Sequence, residues 1–158
     1  RQALLDGAEW IIEMDGGGSH LPSELYQFIQ RLEEGYDCVW GSRFIQGGSM
    51  REQPLYRRVL SQGGTYLSNL VLGTKLKDMT SGFEGFQRQI LEKMNLDAFL
   101  SRGHMYQTEM RYYCRGFHTV EVPIHYVGSA SSLKGSSVLE ALKILFMLRR
   151  HEPFVWKK

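Results

Sequence analysis

A short apolar run that ends in an acid and three glycines constrains the fold of this chain most. Residues 10–14 (WIIEM) precede Asp15 and glycines 16–18, so they are predicted to form a buried strand and a loop. Pro22 then begins a predicted helix that ends at Gly35, and residues 37–41 (DCVWG) form the next strand. Strand, helix and strand in this order predict a βαβ unit, and hence an α/β fold with a parallel sheet.

Further predicted elements continue the alternation of helices and strands. Apolar spacing predicts helices over residues 54–72, 88–95, 105–115 and 138–150, and short strands over 83–86 and 119–126. Pro123 cannot donate a hydrogen bond to a neighbouring strand, so the strand that contains it is expected at an edge of the sheet. Polar loops are predicted over 44–53, 77–82 and 129–137.

Length and composition exclude several classes of protein. The 158 residues, 42% of them hydrophobic, suit one domain that spans 1–158. No apolar run reaches the roughly 18 to 20 residues that a membrane-spanning helix needs, and a net charge of +2 does not indicate nucleic-acid binding. The first residues (RQALLDGAEW) look like a helix already under way, so we expect further residues upstream.

The two cysteines bear on the compartment. Cys38 and Cys114 lie in apolar segments far apart in sequence, and the chain contains no CxxC motif. Both are therefore predicted to be buried free thiols, which is typical of a protein in a reducing compartment such as the cytoplasm.

Asp15 and the glycines after it form the first candidate functional segment. An acid at the carboxyl end of a buried strand faces the crevice where open α/β sheets bind ligands. Glycines allow a phosphate to approach the backbone closely, and the helix that begins at Pro22 adds unpaired N–H groups. The alternative is a tight turn with a polar residue that caps the helix.

Two basic segments follow. Arg43 comes at the end of the second strand (GSRF) and is expected beside Asp15 at the same sheet edge, where a guanidinium suits a phosphate. Arg57 and Ser61 lie four residues apart on a predicted helix and so share a face that could hold an anionic oxygen. The alternatives are a surface arginine paired with an acid and a solvated basic helix face.

Two later polar segments complete the candidates. Asp78 begins a polar loop (DMTSGF) that either shapes a substrate site or caps itself. Gln107 and Glu109 are two residues apart, so they cannot share one face of a helix. Glu109 is expected to face the crevice, and Gln107 is expected to serve the structure.

Six motifs stand in an order that a known enzyme family shows. They are DGGGSHLP, GSRF, Arg57 with Ser61, DMTSGF, QTEM and EVPI. The match to the family pattern runs from about residue 9 to about residue 148. In this order they resemble the dolichyl- and polyprenyl-phosphate mannosyltransferases of glycosyltransferase family 2. The resemblance implies a GT-A fold, a Rossmann-like mixed sheet flanked by helices. This chain would hold its later part, and the N-terminal half would be missing.

The resemblance also implies a reaction and a role for each candidate. The enzyme would transfer a hexose, with mannose from GDP-mannose as the first candidate, from a nucleotide-sugar to a polyprenyl or dolichyl phosphate with inversion. The catalytic residues would be Asp15, Asp78 and Glu109. The acceptor phosphate would be bound by Arg43, Arg57, Ser61 and Lys134, and the donor by Gly17, Ser19, His20 and Gln107.

The implied metal site departs from the family pattern. The family has Asp-x-Asp for a divalent cation on the donor diphosphate, whereas here Gly17 replaces the second acid and Asp15 remains with Ser19. One carboxylate and one hydroxyl form a poor Mg²⁺ or Mn²⁺ site unless donor phosphates and waters complete it. His20 or Glu13 could compensate, or glycine N–H groups together with a nearby arginine could replace the charge of the metal.

Other readings stay open from the sequence. A UDP-hexose donor or a different acceptor fits the same motifs, because the residues that would contact the base and sugar lie largely upstream. A non-catalytic binding relative is the alternative from another class. The basic, aromatic residues 149–158 could contact an anionic membrane surface peripherally, or they could form an ordinary solvated terminus. The oligomeric state is not indicated.

Overall fold

The computed structural model describes residues 1–101, 103, 105–128, 135–150 and 156, with 135–138 described in backbone only. Helices and strands alternate along these residues, as predicted. The helices are α1 Gln2–Leu5, α2 Leu25–Glu33, α3 Leu55–Leu72, α4 Arg88–Lys93, α5 Tyr106–Tyr113 and α6 Gly135–Arg150. The strands are β1 Trp10–Glu13, β2 Cys38–Ser42, β3 Glu84–Gln87 and β4 Thr119–Pro123.

The four strands form one mixed sheet in the order β1-β3-β2-β4. Strand β3 runs antiparallel to both of its neighbours, while β2 and β4 are parallel. Strands β1 and β2 therefore point the same way, as a βαβ unit requires, but β3 lies between them. The parallel sheet predicted from residues 10–41 is wrong in this respect, and the mixed sheet implied by the family resemblance is confirmed.

The burial of the strands differs across the sheet. All five residues of β2 are buried, whereas Trp10 to Ile12 of β1 are half-buried and Glu13 is exposed. The expectation of a buried first strand is thus wrong for the described residues, because β1 is an edge strand of their sheet. Strand β4 is the other edge strand, as predicted, so Pro123 removes no hydrogen bond from the middle of the sheet.

Two hydrophobic clusters pack on the two faces of the sheet. Successive residues of a strand point to opposite faces, so Cys38 and Trp40 join one cluster while Val39 joins the other. Met110 of α5 belongs to the first cluster and Phe28 of α2 to the second. Strand β2 is thereby clamped from both sides, which gives a rigid support to the residues that follow it.

The longest helix follows its predicted bounds. Helix α3 begins after Pro54 and ends at Gly73, whose left-handed conformation (φ 70°) is the usual end of a helix. The loop predicted over 129–137 is wrong in its last part, since residues 135–137 already belong to α6, and 129–134 lie outside the described residues. Within the described part of the chain, no helix has the length and apolar character needed to cross a membrane.

Both cysteines match their prediction. Cys38 on β2 and Cys114, directly after α5, are free and fully buried. They pack within the same hydrophobic cluster.

Candidate active site

The loop after β1 holds Asp15 at the surface by contacts within the loop. The hydroxyl of Ser19 donates to Oδ2 of Asp15 over 3.2 Å, and the backbone N–H of Asp15 donates to Nδ1 of His20 over 3.1 Å. The Asp15 side chain is 47% exposed. The three glycines between these residues are exposed, and Gly18 alone of the three has a positive φ, +75°. The loop therefore presents one carboxylate above an open glycine turn.

His20 lies beneath this loop. Its ring stacks on Phe83, with 5.0 Å between ring centres, and meets the ring of Tyr126 edge-on at 5.7 Å. Since Nδ1 accepts the Asp15 N–H, the proton of the neutral ring is assigned to Nε2. Nε2 lies 3.9 Å from Oδ2 of Asp15 and has no hydrogen-bond partner among the described residues.

Burial keeps this histidine neutral. Desolvation lowers the pKa of His20 below its ordinary value, while the charge of Asp15 opposes the shift and that of Arg43 adds to it. His20 and Ser19 are both buried. Neither residue exposes its side chain, so both lie behind Asp15, and the donor contact expected of them stays a prediction.

Asp15 and Gln107 converge above Gly82. Oδ1 of Asp15 and Nε2 of Gln107 each lie 3.3 Å from the point where a Cβ at residue 82 would stand. Gly82 therefore leaves a small space between a carboxylate and an amide, and a larger residue would fill it. Gly17, expected to contact the donor, lies in the same loop with open space around it.

Glu109 does not face this space. Its carboxylate accepts the backbone N–H groups of Leu100 (2.7 Å) and Ser101 (2.9 Å), the Ser101 hydroxyl (2.5 Å) and the Tyr113 hydroxyl (3.1 Å). It is fully buried. The expected roles of the QTEM pair are therefore reversed: Glu109 fixes the segment before α5, and Gln107 stands beside Asp15.

Asp78 and Arg43 form a buried ion pair. Arg43 Nε donates to Oδ2 of Asp78 over 2.7 Å, and Arg43 Nη2 donates to Oδ1 over 2.8 Å. The backbone N–H of Arg43 also donates to Oδ2, over 3.0 Å. Thr80 donates to the same carboxylate through its N–H and hydroxyl. Both oxygens of Asp78 thus already bind Arg43, and the side chain has no solvent exposure. The catalytic role expected at Asp78 stays a prediction.

The charge of Asp78 is stabilised by this pairing. Burial by itself would raise the pKa of Asp78, but the hydrogen bonds and the charge of Arg43 outweigh it and hold the pKa below its ordinary value. Glu121 of β4 accepts the backbone N–H groups of Lys77 and Asp78 and so fixes the start of this loop. Glu121 begins the EVPI motif, but the sequence assigned it no role.

Arg43 is held in one orientation near the Asp15 loop. Its guanidinium lies over the rings of Phe44 and Tyr126, at 5.2 and 5.5 Å from their centres. The ring of Tyr126 also meets His20, so one tyrosine joins the two predicted site segments. Arg43 and Asp15 therefore lie near each other at one end of the sheet, as expected. Nη1 of Arg43 makes no hydrogen bond within the described residues.

Arg57 and Ser61 share the inner face of α3. Both are half-buried, and Thr65 on the next turn of that face accepts the backbone N–H of Met79 over 3.1 Å. Arg57 donates to the side chain of Gln53 over 3.2 Å. The face is therefore directed at the loop that holds Asp78. The acceptor role implied for Arg57 and Ser61 stays a prediction. Lys134 lies outside the described residues.

A second buried ion pair was not predicted. Arg111 of α5 pairs with Glu84 of β3, donates to the carbonyl of Ser81 over 2.7 Å, and lies over the ring of Trp40. Burial raises the pKa of Glu84 above its ordinary value, the charge of Arg111 opposes this rise, and Glu13 adds to it. Glu84 stands between Phe83 and Phe86 in one predicted strand and Arg111 in a predicted helix, and the sequence did not indicate that they pair.

The residues around Asp15 do not make a complete protein cage for a divalent cation. Asp15 supplies one carboxylate, and the hydroxyl of Ser19 already donates its hydrogen to that carboxylate. No group of three histidine, cysteine or acidic side chains able to hold a metal occurs in the described part of the chain. Asp15 alone would therefore leave most ligand positions of Mg²⁺ or Mn²⁺ to oxygens from outside these residues, and the metal stays a prediction.

Comparison with known proteins identifies the family. The family described as "Glycosyl transferase family 2" matches residues 3–94. The chain is 35% identical over 153 residues to the polyprenol monophosphomannose synthase of Mycolicibacterium smegmatis, covering 89% of this chain and 58% of that protein. It is 33% identical over 147 residues to the undecaprenyl-phosphate mannosyltransferase of Micrococcus luteus, covering 90% and 60%.

The chain thus spans about three fifths of the length of both relatives. The extent of the match to the family and the identity to both relatives agree with the six ordered motifs of the sequence. This chain belongs to glycosyl transferase family 2, a family of enzymes.

Proposed function

We propose that the protein containing this chain transfers a hexose from a nucleotide-sugar to a polyprenyl phosphate. Both named relatives act on such lipids by their names, one on a polyprenol and one on undecaprenyl phosphate. The observation that carries the proposal is the placement of Arg43 by Asp78 next to the Asp15 loop, with Tyr126 in contact with both segments. A phosphate-binding group and an acid-bearing loop thereby share one end of the sheet.

The reaction needs few groups from the protein. An oxygen of the acceptor phosphate attacks the anomeric carbon, and the bond from that carbon to the donor diphosphate breaks with its electron pair. The nucleoside diphosphate leaves, and the anomeric configuration inverts. A phosphate monoester is already an anion at neutral pH, so no general base is required. This agrees with a site in which Asp78 and Glu109 are both occupied by hydrogen bonds.

The acceptor side would work by positioning and by charge. Asp78 binds Nε and Nη2 of Arg43 and leaves Nη1 for the phosphate, so the guanidinium has little freedom to lose on binding. Arg57 and Ser61 on the inner face of α3 would add a second cation and a hydroxyl. A phosphate placed there would stand near Asp15 and Gln107, and we place the sugar beside these two side chains.

The donor side is proposed more coarsely. GDP-mannose is the first candidate donor, since both relatives carry mannose in their names, and a UDP-hexose is the second. We place the protein in the cytoplasm, peripherally at the membrane that holds its lipid. Asp15 would contact the donor side, and Mg²⁺ or Mn²⁺ would bind there only with ligands from the donor itself, because the described residues supply a single carboxylate.

A transfer assay with the full-length protein tests the proposal. Purified protein is incubated with geranyl phosphate as a short acceptor and either GDP-mannose or UDP-glucose, with and without Mn²⁺. We expect a glycosylated lipid phosphate and one equivalent of nucleoside diphosphate with one of the two donors. Tight donor binding without any transfer would instead favour the non-catalytic relative, and binding of neither donor would refute the enzyme proposal.

A further inference from the structure

A basic cavity opens directly beside Arg43. It measures about 230 Å³ and lies between the loop after β2 and the first turns of α3. At about 30 Å³ for each water in the liquid, it has room for several water molecules or for one compact anionic group. Its polar wall consists of Arg43, Arg51, Arg58 and Gln62.

The net charge of this cavity comes from residues that the sequence motifs did not include. Arg43 is neutralised by its bidentate contact with Asp78, so it contributes directed N–H groups but little net charge. Arg51 and Arg58 are exposed and add two positive charges. Among the described residues that line the cavity none is acidic. A dianionic group would therefore find its charge compensation in Arg51 and Arg58.

Helix geometry separates Arg58 from Arg57. Adjacent residues of an α-helix point about 100° apart, because 3.6 residues make one turn. Arg58 and Gln62, four residues apart, share the face that lines the cavity, whereas Arg57 and Ser61 share the neighbouring face. The two arginines consequently approach the site from two sides of the same helix.

The wall that the loop after β2 contributes to the cavity is partly apolar. Phe44 and Ile45 are half-buried and Met50 is buried, and all three line it. A wall of this kind suits a ligand that carries a hydrocarbon chain next to its charged group, and it offers nothing to a free inorganic anion.

The loop that forms this wall is tightly fixed. A Cβ at Gly48 would stand 2.5 Å from the carbonyl oxygen of Ser42, so only glycine allows the loop to fold back on the end of β2. The backbone N–H of Ser49 donates to the carbonyl of Ile124 over 2.9 Å, and the carbonyl of Ser49 accepts the backbone N–H of Tyr126 over 2.8 Å. The cavity is thus built by backbone contacts as well as by side chains.

We infer that Arg51 and Arg58 bind the phosphate monoester of an isoprenoid lipid in this cavity, together with Nη1 of Arg43. The inference rests on the proposed function for the identity of the lipid, and it adds two binding residues to that function. The diphosphate of the donor is the other anion available to the same cations. The apolar wall favours the lipid phosphate.

Binding and kinetics with Arg58→Gln, Arg51→Gln and the double variant of the full-length protein test this inference. Loss of one charge-assisted contact at a partly exposed site should weaken geranyl phosphate binding, measured by calorimetry, about tenfold for Arg58→Gln. The double variant should lose clearly more than either single one. The KM for geranyl phosphate should rise in parallel, while the KM for the donor stays within about twofold. Arg58→Lys should recover part of the loss.

Arg31→Gln is the matched control, because Arg31 is a partly exposed arginine near the end of α2. Helix α2 ends before β2 begins, so Arg31 lies far from Arg43, which follows the other end of β2. It should bind geranyl phosphate like the wild type. Inorganic phosphate should bind the wild type far more weakly than geranyl phosphate, since it cannot use the apolar wall.

The outcomes separate this inference from the proposed function. If the wild type transfers sugar but the Arg58 and Arg51 variants bind the lipid phosphate normally, the inference is wrong and the function stands. If the wild type binds geranyl phosphate through these arginines without transferring sugar, the inference stands and the function fails. A wild type that does not bind geranyl phosphate refutes the inference, as does a donor KM that rises with the lipid KM.

Discussion

The two halves of the candidate site are built in opposite ways. Arg43 is buried and locked by two side-chain hydrogen bonds to Asp78, whereas Asp15 is half-exposed on a loop of three glycines with open space around them. The half with the arginine is therefore organised before any ligand arrives. The half with Asp15 offers one carboxylate and depends on ligands or on further protein for the rest of its contacts.

Removal of the buried acid should give the largest effect. Asp78→Asn leaves the charge of Arg43 buried without its partner, so we expect the free energy of unfolding to fall by about 3 to 5 kcal/mol. Denaturant unfolding of the full-length protein measures this. Glu34→Gln, which breaks the exposed pair with Arg31, should cost less than about 1 kcal/mol. Equal losses in both variants would show that the Arg43 side is not preorganised.

A comparison of two glycines should give the next largest effect. Gly48→Ala places a methyl group 2.5 Å from the Ser42 carbonyl oxygen, so we expect a loss of about 1 to 3 kcal/mol and weaker binding of geranyl phosphate. Gly17→Ala meets no atom within 4 Å and has no positive φ, so it should change stability by less than about 0.5 kcal/mol. Thermal unfolding measures the stability of both variants. A larger loss of stability in Gly17→Ala than in Gly48→Ala would contradict this prediction.

A gain of function at the glycine loop should be smaller but diagnostic. Gly17→Asp adds a second carboxylate two residues from Asp15 in open space, so we expect Mn²⁺ affinity in the presence of donor to rise about tenfold. Calorimetric titration with Mn²⁺ measures this. Gly16→Asp adds the same charge at a neighbouring open position and is the control. Equal affinities for the two variants would mean that only the added charge matters, and that the loop does not resemble a metal site.

The smallest expected effect is a dependence of stability on pH. The pKa of His20 is lowered in the folded protein, so below its ordinary value of 6.5 the unfolded chain binds the proton more readily. The contribution of His20 to stability is therefore complete above about pH 6.5 and is lost as the pH falls towards the folded pKa. Melting temperatures between pH 5 and 8 should show this slope in the wild type, and His20→Asn should reduce it. An unchanged slope would contradict the buried neutral histidine.

Local patterns predicted the elements well, and long-range pairing escaped them. Pro54 and Gly73 bound α3 as expected because both act on their own helix ends. The insertion of β3 between β1 and β2 joins segments more than forty residues apart in sequence, and apolar periodicity carries no information about such partners. The mixed sheet was implied only by the family resemblance.

The sequence predicted which residues lie at the candidate site better than it predicted what each of them does there. Helix periodicity separates Gln107 from Glu109 but does not say which of them faces the core. The catalytic role of Asp78 was implied only by the family resemblance, and its arginine partner, which lies 35 residues earlier in the chain, was not predicted. Glu84 and Arg111 lie in separate predicted elements, and without the fold nothing indicated that they meet.

The central claim is that Arg43, oriented by Asp78, binds the acceptor phosphate. Arg43→Lys keeps the charge but cannot reproduce a bidentate contact while leaving a further N–H group for a ligand. Steady-state transfer by the full-length protein, with donor and geranyl phosphate varied separately, tests this directly. We expect the KM for geranyl phosphate to rise at least about tenfold, with the donor KM within about twofold of the wild type. An unchanged lipid KM, or an equal rise in both, would contradict the account.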